Sequence, residues 1–153
     1  MADWDRRFME LAGFVAGWSK DRSRQVGCVI VAPDNSLRSI GFNGFPRGLN
    51  DDHDERHERP AKYFWTEHAE RNAIYAAARN GIALAGCRMY LPWFPCVDCA
   101  RAIVQAGLVE LVSLEPDFAD TQWGEGFRVS VDLLEEAGLA VRFISTVQDT
   151  TRT

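Results

Sequence analysis

The sequence predicts an α/β fold in which helices cover both faces of a mixed β-sheet. Three observations support this prediction. The chain has 153 residues, which is the length of one compact domain. After an opening hairpin, short apolar runs that are typical of strands alternate with helical patterns. Glycines stand where three of the helical patterns end, at Gly81, Gly107 and Gly138.

The first part of the chain predicts one helix, a β-hairpin and a long loop. Asp3 can cap a helix that runs to about Lys20 and carries apolar residues at helical spacing. The apolar run Val26–Val31 predicts a strand, and Leu37–Phe42 predicts its hairpin partner beyond a Pro-Asp-Asn-Ser turn. Asn43–Phe64 is polar and rich in Gly, Pro and charge, so it predicts a loop of functional length.

The second part of the chain predicts three further helix–strand pairs. The helices are expected at Glu67–Asn80, Cys96–Ala106 and Glu125–Ala137, and the strands at Cys87–Leu91, Leu108–Leu114 and Leu139–Ser145. No repeat or linker interrupts the pattern, so residues 1–147 are expected to form a single domain. Gln148–Thr153 is expected to be a frayed tail.

The charge and the apolar pattern restrict the possible partners and the compartment. Lys and Arg number 17 against 22 Asp and Glu, and the net charge of −5 argues against a long nucleic acid as partner. A small nucleotide remains compatible, because its phosphate needs only one or two cations. No apolar run is long enough to span a bilayer and the N-terminus lacks a signal-peptide pattern, so we expect a cytoplasmic protein without membrane contact.

Two short segments carry residues suited to metal and acid–base chemistry. His68-Ala69-Glu70 stands at the start of one predicted helix, and Pro95-Cys96-Val97-Asp98-Cys99 stands at the start of the next. The two segments lie 28 positions apart, from 68 to 96, with a strand between them. Parallel packing of the two helices would bring both N-termini to one edge of the sheet, where open α/β sheets bind ligands.

The residue types fit a catalytic zinc site. His68, Cys96 and Cys99 would supply three ligands and leave the fourth tetrahedral position to water. Pro95 suits a helix start, and a helix N-terminus favours the thiolate that zinc requires. Glu70 could accept a proton from that water and deliver protons to a substrate. Residues two apart point about 200° apart on a regular helix, so His68 and Glu70 converge only within the first turn.

Other interpretations of the same residues stay open at this point. A structural zinc site would need a fourth protein ligand, and Glu70 alone could be an ordinary exposed carboxylate. The candidates for a fourth ligand are the remaining cysteines and histidines: Cys28, Cys87, His53 and His57. The cysteines lie in predicted strands and fit a core, whereas the histidines fit either a charged loop or a second metal site. The His-x-Glu and Pro-Cys-x-x-Cys combination is the signature of zinc nucleobase deaminases.

With these motifs the chain resembles the cytidine/deoxycytidylate deaminase superfamily, most closely its dCMP deaminase branch. The resemblance runs from about Trp4 to Phe143 and includes 19–21, 25–27, 41–48, 68–74, 94–100 and 103–107. It implies a three-layer α/β/α fold around a five-stranded mixed sheet. It also implies one zinc ion on His68, Cys96 and Cys99, with Glu70 as the proton shuttle. Homo-oligomers, either dimers or hexamers, are common in the family.

The resemblance implies that Asn43 contacts the substrate, although Asn-Gly is also a common turn dipeptide. Trp93 and Phe94 could stack on a base or belong to the core. Three cations, Arg47, Lys62 and Arg71, could each pair with a phosphate or be a plain surface charge. The full set of expected substrate contacts is Asn43, Ala69, Trp93, Phe94, Pro95, Arg47 and Arg71.

The expected reaction is hydrolysis of a cytosine ring to uracil with release of ammonia, on a free nucleotide such as dCMP. The loop Leu49–Tyr63 is acidic and shorter than in the dCMP branch, so free bases, nucleosides and purines stay open as substrates. A non-catalytic zinc domain that serves as a binding module is the alternative from a different functional class.

Overall fold

The computed structural model describes residues 3–145, which form a five-stranded sheet with helices on both faces. The helices are α1 (Asp3–Ala16), α2 (Asp54–His57), α3 (Lys62–Trp65), α4 (Ala69–Arg79), α5 (Val97–Gln105) and α6 (Gly124–Glu136). The strands are β1 (Gly27–Val31), β2 (Leu37–Phe42), β3 (Arg88–Leu91), β4 (Glu110–Leu114) and β5 (Ala140–Ile144). The predicted three-layer α/β/α fold is confirmed.

The sheet has the strand order β2-β1-β3-β4-β5 and is mixed. Strand β1 pairs antiparallel with both β2 and β3, whereas β3, β4 and β5 run parallel. The beginning of β1 therefore lies at the same edge of the sheet as the ends of β2 and β3. The segments that leave the sheet at this edge carry Asn43 and, after β3, the Pro95–Cys99 motif.

The core divides between the two faces of the sheet. Phe8 and Ala12 of α1 pack with Val29, Tyr90 and Val112 on one face. Helices α4, α5 and α6 cover the other face, where their buried side chains surround those of β1, β3 and β4. Strand β1 is buried along its whole length because it lies inside the sheet with helices on both sides.

Several predicted boundaries differ from the structure. The first helix ends at Ala16 rather than near Lys20, because residues 17–19 turn and the Ser19 hydroxyl donates 2.7 Å to the Asn43 carbonyl. The predicted loop Asn43–Phe64 contains the short helices α2 and α3. Strand β2 has the predicted bounds, and the ends of the other elements shift by at most two residues. The predicted tail Gln148–Thr153 lies outside the described residues.

No helix within residues 3–145 has both the length and the apolar character that a membrane span requires. The three glycines that were predicted to end helices all have positive φ angles: Gly81, Gly107 and Gly138. This conformation is nearly free of strain for glycine, which explains why these helices end where the sequence predicts.

One close contact between strand β2 and helix α4 positions the segment that carries His68 and Glu70. A side chain at Gly41 would place its Cβ 2.3 Å from the Ala69 carbonyl oxygen and 2.5 Å from the Ala73 nitrogen. Only glycine allows β2 to come this close to the first turn of α4. The Ser39 hydroxyl, on the same strand, donates to the Ala73 carbonyl at 2.7 Å and fixes the contact. The start of α4 is therefore held tightly against the sheet.

Gly41→Ala is expected to lower the free energy of unfolding by about 1–3 kcal/mol, because the added methyl group meets helix backbone that cannot turn aside. Urea denaturation measures the change. Gly13→Ala is the matched control, since Gly13 is exposed on α1 with open space at its Cβ position. Alanine there should leave stability unchanged or raise it by up to about 1 kcal/mol. Equal unfolding midpoints for the two variants would contradict the packing argument.

Candidate metal and catalytic centre

His68 is the N-cap residue of α4 and has an extended backbone, with φ −78° and ψ 154°. Its carbonyl accepts the first helical hydrogen bond, from the Asn72 N–H at 2.9 Å. Glu67, just before it, exchanges two backbone hydrogen bonds with Gly44, at 3.0 and 2.8 Å. His68 and Glu70 therefore stand at the cap and in the first turn of α4, where two residues at this spacing can converge.

Cys96 and Cys99 occupy the corresponding place in α5. Cys96 is the N-cap residue, again extended, and Cys99 lies in the first turn and is fully buried. The helix begins one residue later than predicted, so Pro95 precedes the cap instead of opening the helix. Both sulfurs thus lie at a helix start, where the unpaired N–H groups and the helix dipole stabilise a thiolate.

The two helix starts bring one nitrogen and two sulfurs together. The ligand atoms of His68, Cys96 and Cys99 all lie within 4.8 Å of one another. Nδ1 of His68 is 3.5 Å from the Cys96 sulfur and 3.4 Å from the Cys99 sulfur. A nitrogen and a sulfur that share a tetrahedral zinc ion stand about 3.5 Å apart, given bonds of about 2.0 and 2.3 Å. The donor set and its spacing fit one zinc ion.

The ionisation of the two thiols follows from their contact. Hydrogen bonding from the Cys99 thiol, with help from the His68 ring, lowers the pKa of Cys96 to about 4 against the opposing effect of burial. The same hydrogen bond and burial raise the pKa of Cys99. The pKa of the His68 ring is raised, chiefly by its hydrogen bond with Cys96. The cluster therefore already contains one thiolate, which is a form that zinc binds.

Glu70 lies beside this cluster and is 3% exposed. Burial raises the pKa of its carboxyl group to about 7, with smaller opposing effects from His68 and Cys99. A carboxyl group with a pKa near neutrality can both accept and release a proton at physiological pH. The interpretation of Glu70 as an ordinary exposed helix carboxylate is wrong, because the side chain is buried against the metal-ligand cluster.

The structure places the Asn43 side chain between two backbone segments at the same edge. Its Oδ1 accepts from the Val26 N–H at 2.8 Å, and its Nδ2 donates to the Arg24 carbonyl at 2.9 Å. The side chain is 8% exposed. Asn43 therefore ties the end of β2 to the segment before β1. Contact between Asn43 and the substrate stays a prediction.

The three residues before Cys96 have different environments. Phe94 is 2% exposed and its ring packs against Phe127 and Phe143, so the core interpretation describes its ring. Pro95 is also buried. Trp93 is 41% exposed, and its ring makes a T-shaped contact with Phe127. Among these three residues, Trp93 is therefore the one with an exposed side chain.

The candidate phosphate partners differ in how far their charges are already neutralised. Lys62 forms a buried ion pair with Asp21 at 3.0 Å. Arg71 pairs with Glu67 at 2.6 Å and approaches Asp98 at 3.7 Å. Arg47 is exposed and lines a groove of about 360 Å³ between β2 and α4.

Ala69, at the first turn of α4, is buried and its carbonyl faces Gly41. Contact of the substrate with Ala69, Arg47 or Arg71 stays a prediction.

The alternative ligands lie elsewhere. Cys28 and Cys87 are core residues at 0% and 3% exposure, as the sequence predicts. His57 stacks on Phe45 and its Nε2 lies 2.6 Å from the Asp51 carbonyl oxygen, while His53 pairs with Glu55. Within residues 3–145, the group of donors that could hold a metal contains His68, Cys96 and Cys99.

One contact at this edge has no signal in the sequence. The guanidinium of Arg24 lies 3.7 Å from the centre of the Trp93 ring. The two residues are 69 positions apart, from 24 to 93, and neither belongs to a recognisable motif. Only the strand order, which places β1 beside β3, brings them together.

Comparison with known proteins agrees with this geometry. Residues 2–115 match the family model described as the cytidine and deoxycytidylate deaminase zinc-binding region. The chain is 42% identical over 146 residues to an "uncharacterized deaminase in luxG 3'region" of Aliivibrio fischeri, which covers 94% of this chain and 95% of that protein. Human deoxycytidylate deaminase is 35% identical over 145 residues, covering 92% and 79% of the two chains.

A solved structure shares the fold. The dCMP deaminase of cyanophage S-TIM5, crystallised with dCMP and dUMP, has a TM-score of 0.76 at 22% identity. The similarity covers 94% of this chain and 98% of that one. Since the family model spans well over half of the sequence and both relatives align over more than nine-tenths of this chain, the chain belongs to the cytidine and deoxycytidylate deaminase family.

Proposed function

We propose that this protein is a zinc-dependent hydrolase that deaminates the cytosine ring of a free nucleotide, with dCMP as the substrate. The observation that carries the proposal is the cluster of His68, Cys96 and Cys99 with the buried Glu70 at its side. The cluster contributes three donors from the described residues, so a bound ion keeps a position for water. A non-catalytic zinc domain would instead close that position with protein.

The proposed roles follow from the positions of the side chains. His68, Cys96 and Cys99 would hold the ion, which when bound supplies a water molecule activated for attack on the amine-bearing carbon C4. Glu70 accepts the proton that this attack releases. Its carboxyl group delivers that proton to the ring nitrogen N3. It then takes the second proton, from the new hydroxyl group on C4, and delivers it to the amine, so that the bond between C4 and the amine breaks, ammonia leaves and C4 becomes a carbonyl carbon. Burial of Glu70 keeps bulk water away from these transfers.

Relatives of this chain support the choice of a cytosine nucleotide. Human deoxycytidylate deaminase aligns over 92% of the chain, and the S-TIM5 protein of the same fold was crystallised with dCMP and dUMP. The acidic balance of the sequence is consistent with a small nucleotide rather than a long nucleic acid.

We further propose that the activity belongs to a single domain of residues 1–147 and that the protein acts in the cytoplasm.

We also propose that copies of the chain associate. Support for association comes from exposed aromatic rings on one edge. Phe14, Trp18 and Phe42 are 67%, 50% and 36% exposed and follow one another at ring distances of 5.8 and 6.0 Å. Such a patch is typical of an interaction surface. Sedimentation of the purified protein would show a monomer if this proposal is wrong.

Glu70→Gln is expected to lower kcat by about 10²–10⁴, because the amide cannot transfer protons although it keeps the shape of the side chain. Ammonia release from dCMP measures the rate, and bound zinc measured on the same sample shows that the ion is retained. Glu125→Gln, on the exposed first turn of α6, is the control and should keep the parent rate. A kcat of Glu70→Gln within about tenfold of the parent would exclude the proposed proton transfer.

His68→Ala is expected to lose the metal, whereas His53→Ala, an exposed histidine outside the cluster, should retain it. The measurement is the ratio of zinc to protein after dialysis, with about one ion per chain in the parent. Because binding to the folded state adds stability, the parent should also unfold at a higher temperature with zinc than after chelation. Loss of zinc from His53→Ala would instead indicate a metal site in the segment of His53 and His57.

Among possible substrates, dCMP is expected to have the highest kcat/KM with the zinc-loaded protein. Ammonia release is measured with CMP, deoxycytidine, cytidine, cytosine, adenosine, guanine and a short RNA under the same conditions. A preference for a purine would keep the deaminase chemistry and overturn the cytosine assignment. No release from any of the eight compounds would leave the binding-module alternative as the better description.

A further inference from the structure

Arg24 is an exposed cation that the structure fixes in place at the edge of the site. Its guanidinium carbon lies 3.7 Å from the centre of the Trp93 ring, which is a cation–π contact with the ring face. A guanidinium that rests on an aromatic face keeps its in-plane N–H groups free for hydrogen bonds. The ion pairs and side-chain hydrogen bonds made by residues 3–145 include none from this guanidinium.

The backbone of Arg24 is held from two sides. Its carbonyl accepts from Asn43 Nδ2 at 2.9 Å, and its N–H donates to Asp21 Oδ1 at 3.0 Å. Asp21 in turn is paired with Lys62 of α3 in a buried contact. Hydrogen bonds from backbone N–H groups and Lys62 lower the pKa of Asp21 although burial opposes them, so the carboxylate stays charged. The turn that presents Arg24 is therefore well ordered.

The contact of Arg24 with Trp93 joins the two segments that carry the zinc ligands. On one side, Asn43 is followed by Gly44, which pairs with Glu67, the neighbour of His68. On the other side, Trp93 stands three residues before Cys96. The guanidinium thus lies at the sheet edge where the metal cluster forms. A substrate whose ring reaches the cluster would have the rest of its structure close to this edge.

Arg24 is better placed to bind a phosphate than Lys62, Arg71 or Arg47. Lys62 is neutralised by Asp21, and Arg71 is neutralised by Glu67. Arg47 faces the separate groove between β2 and α4. A phosphate needs donors that are not already paired with a carboxylate, and the planar fork of arginine can donate two parallel hydrogen bonds to phosphate oxygens.

We propose that Arg24, held on the face of Trp93, binds the 5′-phosphate of the nucleotide substrate and makes the site prefer a nucleotide over a nucleoside. This inference rests on the proposed function and names the residue that recognises the phosphate. Arg24 is a binding residue that does not touch the reacting carbon. Its loss should therefore raise the KM for dCMP and leave kcat nearly unchanged.

The test compares ligands that differ only in the phosphate. Zinc-loaded parent, Arg24→Ala, Arg24→Lys and Arg38→Ala proteins are titrated with dUMP and with deoxyuridine by calorimetry, and dCMP kinetics are measured in parallel. Arg38→Ala removes the same charge at the opposite end of β2 and is the matched control. Arg24→Ala should weaken dUMP binding and raise the KM for dCMP about 10- to 100-fold, the usual effect of losing a charged hydrogen bond.

The remaining results have distinct meanings. Deoxyuridine affinity should be the same in all four proteins, and Arg24→Lys should lie between the parent and Arg24→Ala because it keeps the charge without the planar fork. An equal loss for dUMP and deoxyuridine, or no loss for dUMP, would overturn the inference. If the parent releases no ammonia from dCMP, the proposed substrate is wrong, and the dUMP and deoxyuridine titrations still decide whether Arg24 binds phosphate.

Discussion

The close approach of α4 to strand β2 at Gly41 is the constraint on which the rest of the site depends. The first turn of α4 carries His68 and Glu70, and it can reach the edge of the sheet only because no Cβ stands between Gly41 and the Ala69 carbonyl. The metal ligands come from the starts of two helices, α4 and α5, which are separated in the sequence by strand β3. Their meeting point is therefore set by how each helix packs on the sheet rather than by a local motif.

Burial of charge explains why metal binding and catalysis are linked in this arrangement. Glu70 is almost fully buried, and a buried carboxylate without a positive partner is costly. The same region holds two thiols, of which Cys96 is ionised at neutral pH. A divalent cation among these groups would compensate for their negative charge and draw the second thiol into the thiolate form. The carboxyl group that we propose as the proton carrier lies beside the residues that would hold this ion.

The sequence predicted the order of the elements because each has its own local signal. Glycines with positive φ end three of the helices, and a run of β-branched residues marks strand β1. The metal cluster was predictable because its spacing and residue types are specific. The helices α2 and α3 were missed, since four residues carry too little periodicity to distinguish a helical turn from a loop. The contact of Arg24 with Trp93 could not be predicted, because Arg24 precedes β1 whereas Trp93 follows β3, and only the order of the strands in the sheet brings the two residues together.

The segments that surround the cluster form one hydrogen-bonded unit, and this links substrate recognition to the metal. Asn43 holds the backbone at Arg24 and Val26, while its neighbour Gly44 pairs with the residue before His68. The Arg24 turn is therefore connected to the first ligand through the Asn43 side chain and the Gly44–Glu67 backbone pairing. Trp93 makes the same connection to the second helix, because it supports Arg24 and leads into Cys96. Groups that bind the distant part of a substrate and groups that hold the ion are thus positioned by the same few contacts, which is what orientation of a reacting ring requires.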